Sequence, residues 1–210
     1  MIKTIKSVAV AAALLCPMAT TSSAAPVQWE TATGGNGHWY DFVVRTTAIT
    51  ATEAETAAES STYLGENGYL ATITSAGEQT FLNSIWPGVG SVAGQFMNYS
   101  YFLIGASDRN SEGSFEWIGG SEDGDALSYA NFKVGEPNDG GSGSAGEDYV
   151  VAWWEDSVSG SWNDVPGTSI LAYVVEYDNG TVSAIPLPAS AWLFFAGLIG
   201  LFGIRRRRQA

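Results

Sequence analysis

Two short loops in the second half of the chain carry a high density of oxygen-bearing side chains. Residues 136–139 read Glu-Pro-Asn-Asp, Glu147 and Asp148 follow a glycine-rich stretch, and Asn163 and Asp164 follow a tryptophan. Glycine, proline, asparagine and aspartate favour turns, so we predict surface loops here rather than core helices or strands. Ca²⁺ takes about six to eight oxygen ligands and tolerates irregular loop geometry. The two loops therefore predict a calcium site.

A softer metal is disfavoured by composition. The chain has one Cys, Cys16, and one His, His38. A zinc site with nitrogen and sulfur ligands would have almost nothing to be built from. We expect His38 to be a surface residue or one that is satisfied by hydrogen bonds within the protein.

The N-terminal residues 1–25 have the features of a secretory signal peptide. Basic Lys3 and Lys6 precede an apolar run over residues 8–15, and small residues occupy positions 22–25. This order of a basic, an apolar and a small-residue region is typical of export signals, and it predicts cleavage after Ala24. We therefore expect an exported protein whose folded domain spans residues 26–184.

The C-terminal residues 185–210 have the features of a membrane segment. Sixteen mainly apolar residues, 189–204, lie between Pro188 and four arginines at 205–208. As a helix they would span about 24 Å, less than the hydrocarbon core of about 30 Å, so spanning requires bilayer thinning or help from the flanks. The arginines predict a cytoplasmic C-terminus.

The order of a proline-containing motif, Pro186-Leu187-Pro188, an apolar run and an arginine cluster resembles the PEP-CTERM sorting signals of Gram-negative bacteria. The resemblance implies that a membrane protease of the exosortase type removes the tail and that the domain passes to the cell surface or the extracellular matrix. The alternative is a permanent single-span anchor.

Charge is distributed unevenly along the chain. All 22 acidic residues but only three of the nine basic residues lie between Glu30 and Asp178, which gives that part a net charge of −19. Binding to nucleic acid depends on Lys and Arg that neutralise phosphates, so nucleic acid is excluded as a partner. Such a charge can keep an exported domain soluble, and its concentration between Glu136 and Asp164 suits a cation site.

The central region predicts two early helices followed by short strands. A strand is predicted over residues 38–45. Capping boxes at Thr50/Glu53 and Thr52/Glu55 predict a helix that continues to Leu64, and one at Ser75/Glu78 predicts a second helix. Further strands are predicted over residues 69–74, 101–105, 115–118, 149–154 and 171–177. Helices first and small antiparallel sheets afterwards, with a long acidic loop region, describe an α+β domain.

Six segments in order resemble the C-type lectin-like domain, over roughly residues 37–178. They are residues 68–73 (GYLATI) with Glu78 and Phe81-Leu82, residues 103–108 (LIGASD), residues 112–120 (EGSFEWIGG), residues 135–138 (GEPN), Glu147-Asp148 with Trp162-Asn163-Asp164, and residues 173–176 (YVVE). The resemblance implies that family's α+β fold and a carbohydrate-binding function. The usual disulfides are absent, because Tyr149 and Val175 stand where the family commonly has cysteines. We expect burial of tryptophans, among them Trp117 and Trp162, and bound calcium to compensate.

The resemblance also implies two calcium positions, with the Glu136–Pro137 peptide bond in the cis form. The position that binds sugar would use Glu136, Asn138, Glu147, Asn163 and Asp164. The auxiliary position would use Asp108, Glu112, Asp139 and Asp148, with Glu147 shared. Seven carboxylates so close together would repel one another by up to about 4 kcal/mol per close pair, a cost that divalent cations remove.

In such a site, two neighbouring sugar hydroxyls complete the calcium shell, donating to Glu136 and accepting from Asn138. Within the family, Glu-Pro-Asn accompanies mannose-type sugars, including glucose, N-acetylglucosamine and fucose. Two other function classes stay open from the residues alone. One is a surface adhesion or matrix protein in which calcium is purely structural. The other is a glycoside hydrolase using paired carboxylates, which is disfavoured because the clustered acids are all assigned as metal ligands.

Overall fold

The computed structural model describes residues 21–22, 25–85, 101–140, 146–153 and 160–180. The predicted tail, most of the predicted signal peptide and Trp154 lie outside these residues. Within the described ranges, no helix is both long and apolar enough to cross a membrane.

The described residues form two α-helices and ten strands, together with two short 3-10 helices. The helices are α1 (Ala51–Glu59) and α2 (Ala76–Ile85). The strands are β1 (Thr21–Ser22), β2 (Val27–Gln28), β3 (Trp39–Ile49), β4 (Thr62–Tyr63), β5 (Glu66–Leu70), β6 (Phe102–Ser107), β7 (Glu116–Trp117), β8 (Tyr149–Ala152), β9 (Trp162–Val165) and β10 (Ile170–Tyr177). This confirms the predicted α+β class with two helices.

The strands form a sheet in the order β1-β3-β10-β6-β8-β9, with β2 on β3, β7 on β6, and β4 reaching β10 through β5. All pairings are antiparallel except that of β10 with β6, where Tyr173 lies opposite Leu103. The C-terminal strand β10 therefore lies inside the sheet, and β8 and β9 form the end that carries the acidic loops.

Helix α1 begins at the predicted capping box. The Thr50 side chain accepts a hydrogen bond from the Glu53 amide, and the Glu53 carboxylate accepts one from the Thr50 amide at 2.8 Å. The predicted end at Leu64 is wrong, because the helix ends at Glu59 and the chain turns at Leu64 and Gly65, both with positive φ. Asn67 and Gly68 lie within β5, where a Cβ on Gly68 would be 2.6 Å from Val175.

Helix α2 uses only half of its predicted capping box. The Glu78 amide donates to the Ser75 hydroxyl at 3.1 Å, but the Glu78 carboxylate accepts from the amide and hydroxyl of Thr74 instead of from the Ser75 amide. The strand predicted over residues 69–74 ends at Leu70. Beyond it, the Thr72 amide donates to the Glu176 carboxylate at 2.9 Å rather than to another strand.

Buried tryptophans fill the core, as predicted. Trp117, Trp153 and Trp162 are all almost fully buried. The indole nitrogen of Trp162 donates to Gln79 of α2 at 2.8 Å, and that of Trp153 donates to Asn83 at 3.0 Å. These bonds attach α2 to the end of the sheet that carries the acidic loops. The two cysteine-replacing residues also pack inside: Val175 is buried, and the Tyr149 ring lies against Gly167.

A buried pair of carboxylates joins α2 to β10. Glu78 and Glu176, which we call the Glu78–Glu176 pair, are each 1% exposed. The Tyr40 hydroxyl contacts both carboxylates, at 3.0 Å from Glu176, and His38 Nδ1 lies 2.7 Å from Glu176. His38 is therefore satisfied within the protein, as expected.

Candidate functional site

The register of β8 and β9 places the ligand-type residues at one end of the sheet. Val150 pairs with Asp164 and Val151 with Asn163, so Glu147 and Asp148, which directly precede β8, emerge beside β9. Asn163 and Asp164 are buried although polar. Two antiparallel neighbours thus bring together residues that are far apart in sequence.

Asp164 anchors the 136–139 turn. Asp164 is only 1% exposed. The Asn138 amide donates to both of its carboxylate oxygens, at 3.1 and 3.2 Å, and the Asp139 amide donates to one of them at 2.8 Å. The Glu136–Pro137 peptide bond is cis, as the resemblance implied. Glu136, Asn138 and Asp164 are therefore brought together in this turn.

Glu147 joins the same group through the backbone. The Gly140 amide donates to the Glu147 carboxylate at 2.8 Å, and the Glu147 amide donates to Asp139 Oδ1 at 2.9 Å. A Cβ on Gly140 would lie 2.3 Å from Asn138 Oδ1, so a larger residue there would displace the Asn138 side chain. The Asn138 side chain itself is on an exposed residue, where a ligand can reach it.

Buried oxygens without partners indicate where a cation fits. Glu136 Oε2 and Asn163 Oδ1 are inaccessible and have no hydrogen-bond partner within the described part of the chain. The side-chain nitrogen of Asn163, Nδ2, donates to the Asp164 carbonyl at 2.8 Å. The side-chain oxygen can only accept, and it is the atom left without a donor among the residues described. Burying an acceptor without a donor costs about 1–3 kcal/mol, a cost that a coordinated cation removes. The five residues assigned to the sugar-binding position thus fit Ca²⁺.

The auxiliary position also combines clustered carboxylates with a buried oxygen that lacks a hydrogen-bond partner among the described residues. Asp108, Glu112 and Asp148 each place a carboxylate oxygen within 4.8 Å of the others. Asp108 Oδ2 accepts from the Gly113 amide at 2.9 Å, whereas Asp108 Oδ1 is buried with no partner among the described residues.

Asp139 completes this second group. A Cβ on Gly146 would lie 3.0 Å from carboxylate oxygens of both Asp139 and Asp148 and 3.5 Å from one of Glu112. All nine residues proposed from the sequence are therefore gathered at one end of the molecule, in two neighbouring sets.

Electrostatics in the loops oppose the charged state of these acids. Burial, followed by the charges of Asp164 and Glu136, raises the pKa of Glu147, and burial followed by the charge of Asp164 raises that of Glu136. Burial also raises the pKa of Asp108, and the charge of Asp108 raises that of Glu112. Burial and like charges both disfavour the ionised form of these carboxylates, and a bound divalent cation would offset both effects.

Two contributors, Ser107 and Gly146, were missed by reasoning from the sequence. The Ser107 hydroxyl and the Asp108 amide both donate to the Asp148 carbonyl, at 2.7 and 3.2 Å, and so fix the start of β8 beside β6. Gly146 leaves room between two carboxylates. Only the glycine between acidic residues gave a signal in the sequence.

Comparison with known proteins agrees with this geometry. The family model described as Lectin C-type domain matches residues 48–176. Among characterised proteins, halomucin of Haloquadratum walsbyi is 31% identical over 164 residues, covering 74% of this chain and 2% of halomucin. The mouse low affinity immunoglobulin epsilon Fc receptor is 38% identical over 110 residues, covering 52% of this chain and 27% of the receptor. The chain thus spans only a small part of these relatives.

Two solved structures share the fold. The cow C-type carbohydrate-recognition domain of CD23, solved in the presence of GlcNAc2Man3 oligosaccharide, is 28% identical with a TM-score of 0.50, covering 77% of this chain and 94% of that one. The C-type lectin CEL-I from Cucumaria echinata is 26% identical with a TM-score of 0.51, covering 68% and 91%. With its two helices, its antiparallel-rich sheet and its acidic loops, the chain belongs to the C-type lectin domain family, whose members are carbohydrate-binding, typically calcium-dependent and non-enzymatic proteins.

Proposed function

We propose that this protein is an exported, calcium-dependent lectin that binds mannose-type sugars through Glu136, Asn138, Glu147, Asn163 and Asp164. The proposal rests on two buried oxygens, Glu136 Oε2 and Asn163 Oδ1, that have no hydrogen-bond partner among the described residues. They lie in one cluster with three further oxygen-bearing side chains, those of Asn138, Glu147 and Asp164. A coordinated cation would supply the partner that these two oxygens lack among the described residues.

Calcium bound here would accept two adjacent sugar hydroxyls as ligands and so fix the sugar ring. The protein orients the same hydroxyls by hydrogen bonding. Each hydroxyl donates a hydrogen bond to a carboxylate such as that of Glu136 and accepts one from a side-chain amide such as that of Asn138. The acid and amide on either side of Pro137 therefore select a diol whose two oxygens lie side by side.

The Glu-Pro-Asn order supports the mannose class, in which the diol is equatorial. The cow CD23 domain, which shares the fold, was solved with an oligosaccharide that contains mannose. The net charge of −19 between Glu30 and Asp178 supports a neutral rather than an acidic glycan, because like charges repel.

The ends of the chain support a role at the cell surface or in the matrix. The predicted signal peptide would direct export, and the tail, which lies outside the described residues, would hold the protein in the membrane until a sorting protease removes it. Contacts of single lectin sites are weak, so many copies on a surface would supply the avidity.

Retention on mannose-agarose tests the proposal. We expect the full chain, purified in mild detergent, to be retained in CaCl₂ and released by EDTA. Asn138→Asp should abolish retention, since the carboxylate accepts but does not donate. Asn67→Asp, an exposed asparagine on β5, is the matched control and should be retained like the wild type. Retention that resists EDTA would contradict the proposal.

The cluster of Asp108, Glu112 and Asp148 favours a second candidate, an adhesion or matrix protein in which calcium is structural. This cluster gathers carboxylates but lacks the acid-and-amide pair that reads a diol. Calcium that raises the melting temperature of the protein while a glycan array stays empty in CaCl₂ would select this candidate over the lectin.

A further inference from the structure

A pocket of about 230 Å³ adjoins the proposed sugar site and extends beyond it. Glu147 and Asn163 line both the pocket and the calcium-type cluster, and the pocket continues past Val165 to the turn at residues 166–169 and to Tyr101. We infer that this pocket binds a second, neutral sugar residue, so that the protein recognises an oligosaccharide rather than a single ring. The inference rests on the proposed lectin function and extends the same site.

The chemistry of the walls fits a sugar ring. Tyr101 and Pro166 offer apolar surface, while Thr168 and Ser169 are exposed and offer hydroxyls. A pyranose has an apolar C–H face and a polar hydroxyl edge, which matches walls of this mixed kind. Pockets for drug-sized ligands are about 300–1,000 Å³, so this smaller volume suits one ring of a chain rather than a whole glycan.

The charge of the pocket narrows the ligand class. Glu147 is the charged side chain among the described residues that line it, and no Lys or Arg is among them. A uronic acid or a sulfated sugar would meet this carboxylate without a compensating cation. The second ring is therefore a neutral hexose or N-acetylhexosamine.

The far wall of the pocket is held in place. Gly167 has a φ of +67°, and a Cβ there would lie 2.4 Å from the Tyr149 ring and 3.0 Å from Ala51. The Gly167 carbonyl also accepts a hydrogen bond from the Ala51 amide at 2.8 Å. The first turn of α1 thus fixes the 166–169 turn, and a pre-formed wall lowers the entropic cost of binding.

Calorimetry with defined saccharides tests the inference. The full chain in CaCl₂ is titrated with methyl α-mannopyranoside and with mannobioses linked α1→2, α1→3, α1→4 and α1→6, together with cellobiose. We expect at least one disaccharide to bind at least tenfold more tightly than the monosaccharide. Ser169→Trp, which fills the pocket, should remove that gain and leave monosaccharide affinity unchanged. Thr168→Ala, a milder change, should reduce the gain severalfold.

The matched control is Ser84→Trp, an exposed serine of α2 that does not line the pocket; it should bind every probe like the wild type. Equal affinity of the wild type for the monosaccharide and all disaccharides would overturn the second subsite while leaving the lectin function intact. A Ser169→Trp protein that keeps the disaccharide gain would also overturn it. Absence of any calcium-dependent saccharide binding would overturn the proposed function and this inference together.

Discussion

Two clusters of acids and amides in this domain differ in how their buried oxygens are satisfied. In the Glu78–Glu176 pair, the carboxylates accept hydrogen bonds from Tyr40, from Thr72 and from Thr74, and His38 adds a further contact. In the loops, Asp108 Oδ1, Glu136 Oε2 and Asn163 Oδ1 are equally inaccessible but have no partner in the described part of the chain. Burial of an acid is therefore weak support for a ligand site, whereas a buried acceptor without a donor is strong support.

The largest expected effect is the stabilisation of the protein by calcium, which should bind the loop residues and not the Glu78–Glu176 pair. With two sites each at a free calcium concentration of about 100 times Kd, the free energy of unfolding should rise by about 5 kcal/mol. At about 2–4 °C per kcal/mol for a domain of this size, the melting temperature should rise by about 10–20 °C. Differential scanning calorimetry in CaCl₂ and in EDTA measures this rise.

MgCl₂ is the control for this measurement, because Mg²⁺ demands a stricter octahedral geometry and should give a much smaller rise. An identical melting temperature in CaCl₂ and EDTA would place both groups of acids in the same structural class.

Substitutions of one acid from each group should have opposite signs in EDTA. Glu176→Gln replaces one acceptor oxygen with a donor that faces Tyr40, His38 or Thr72, and it should cost about 2–4 kcal/mol with or without calcium. Asp108→Asn removes a repelling charge, so in EDTA it should be neutral or stabilising by about 1 kcal/mol. In CaCl₂ the same change should destabilise, because a ligand is lost. Urea unfolding of both variants in both buffers measures these effects.

Destabilisation of Asp108→Asn in EDTA to the same extent as in CaCl₂ would show that Asp108 is a structural acid like Glu176.

The Glu78–Glu176 pair should make the folded protein more stable at acidic pH than at alkaline pH. Burial, followed by the charge of Glu176, raises the pKa of Glu78 from 4.5 to about 7, and the hydrogen bond to Glu176 raises that of His38. A group with a raised pKa in the folded state contributes stability that is full below its unfolded pKa and is lost as the pH rises through its folded pKa. For Glu78 this window is pH 4.5 to 7, and the contribution is at most about 3 kcal/mol.

We therefore expect the melting temperature in EDTA to be higher at pH 5.5 than at pH 8. In Glu78→Gln this difference should shrink, since the amide can donate to the Tyr40 oxygen while Tyr40 donates to Glu176, as a protonated Glu78 would. The loop acids also have raised pKa values, but their contribution is common to both proteins and cancels in the comparison. An equal pH dependence in both proteins would contradict the assignment to Glu78.

The smallest effect is expected at Gly146. In Gly146→Ala, the new methyl group would lie 3.0 Å from oxygens of Asp139 and Asp148, which must then move apart. We expect calcium affinity at the auxiliary position to fall about fivefold, or about 1 kcal/mol, as measured by calorimetry. Gly77→Ala on α2, where the nearest atom would be at an ordinary 3.5 Å, should leave calcium binding unchanged.

Local signals in the sequence predicted the starts of elements better than their ends. The Thr50/Glu53 capping box places the start of α1 correctly because both of its hydrogen bonds are local. The predicted end of α1 was wrong because Thr62–Tyr63 pair with β5 as strand β4, and the chain then turns at Leu64-Gly65. Local sequence patterns do not reveal this pairing between strands. The Glu78 carboxylate does not form its predicted capping bond with the Ser75 amide. It contacts Thr74 and Tyr40 instead, and the contact with Tyr40 exists only in the folded chain.

The clustering of the loop residues was largely predictable because their residue types and order are specific. Carboxylates and carboxamides flanking a proline, followed by an acidic pair and a Trp-Asn-Asp sequence, have few other purposes in common, so Glu136, Asn138 and Asp164 could be named in advance. The pocket could not be predicted, since Tyr101 and Ser169 are ordinary residues that become neighbours of Asn163 only through the pairing of β8 with β9 and the turn into β10.

The position of β10 has a consequence for biosynthesis. This strand, the last of the described strands to be synthesised, lies between β3 and β6 and also pairs with β5. A nascent chain that lacks residues 170–177 exposes unpaired edges on several strands at once, and such edges promote aggregation. The domain must therefore complete its fold after its final strand has been released, and a chain truncated within that strand should be degraded rather than accumulate.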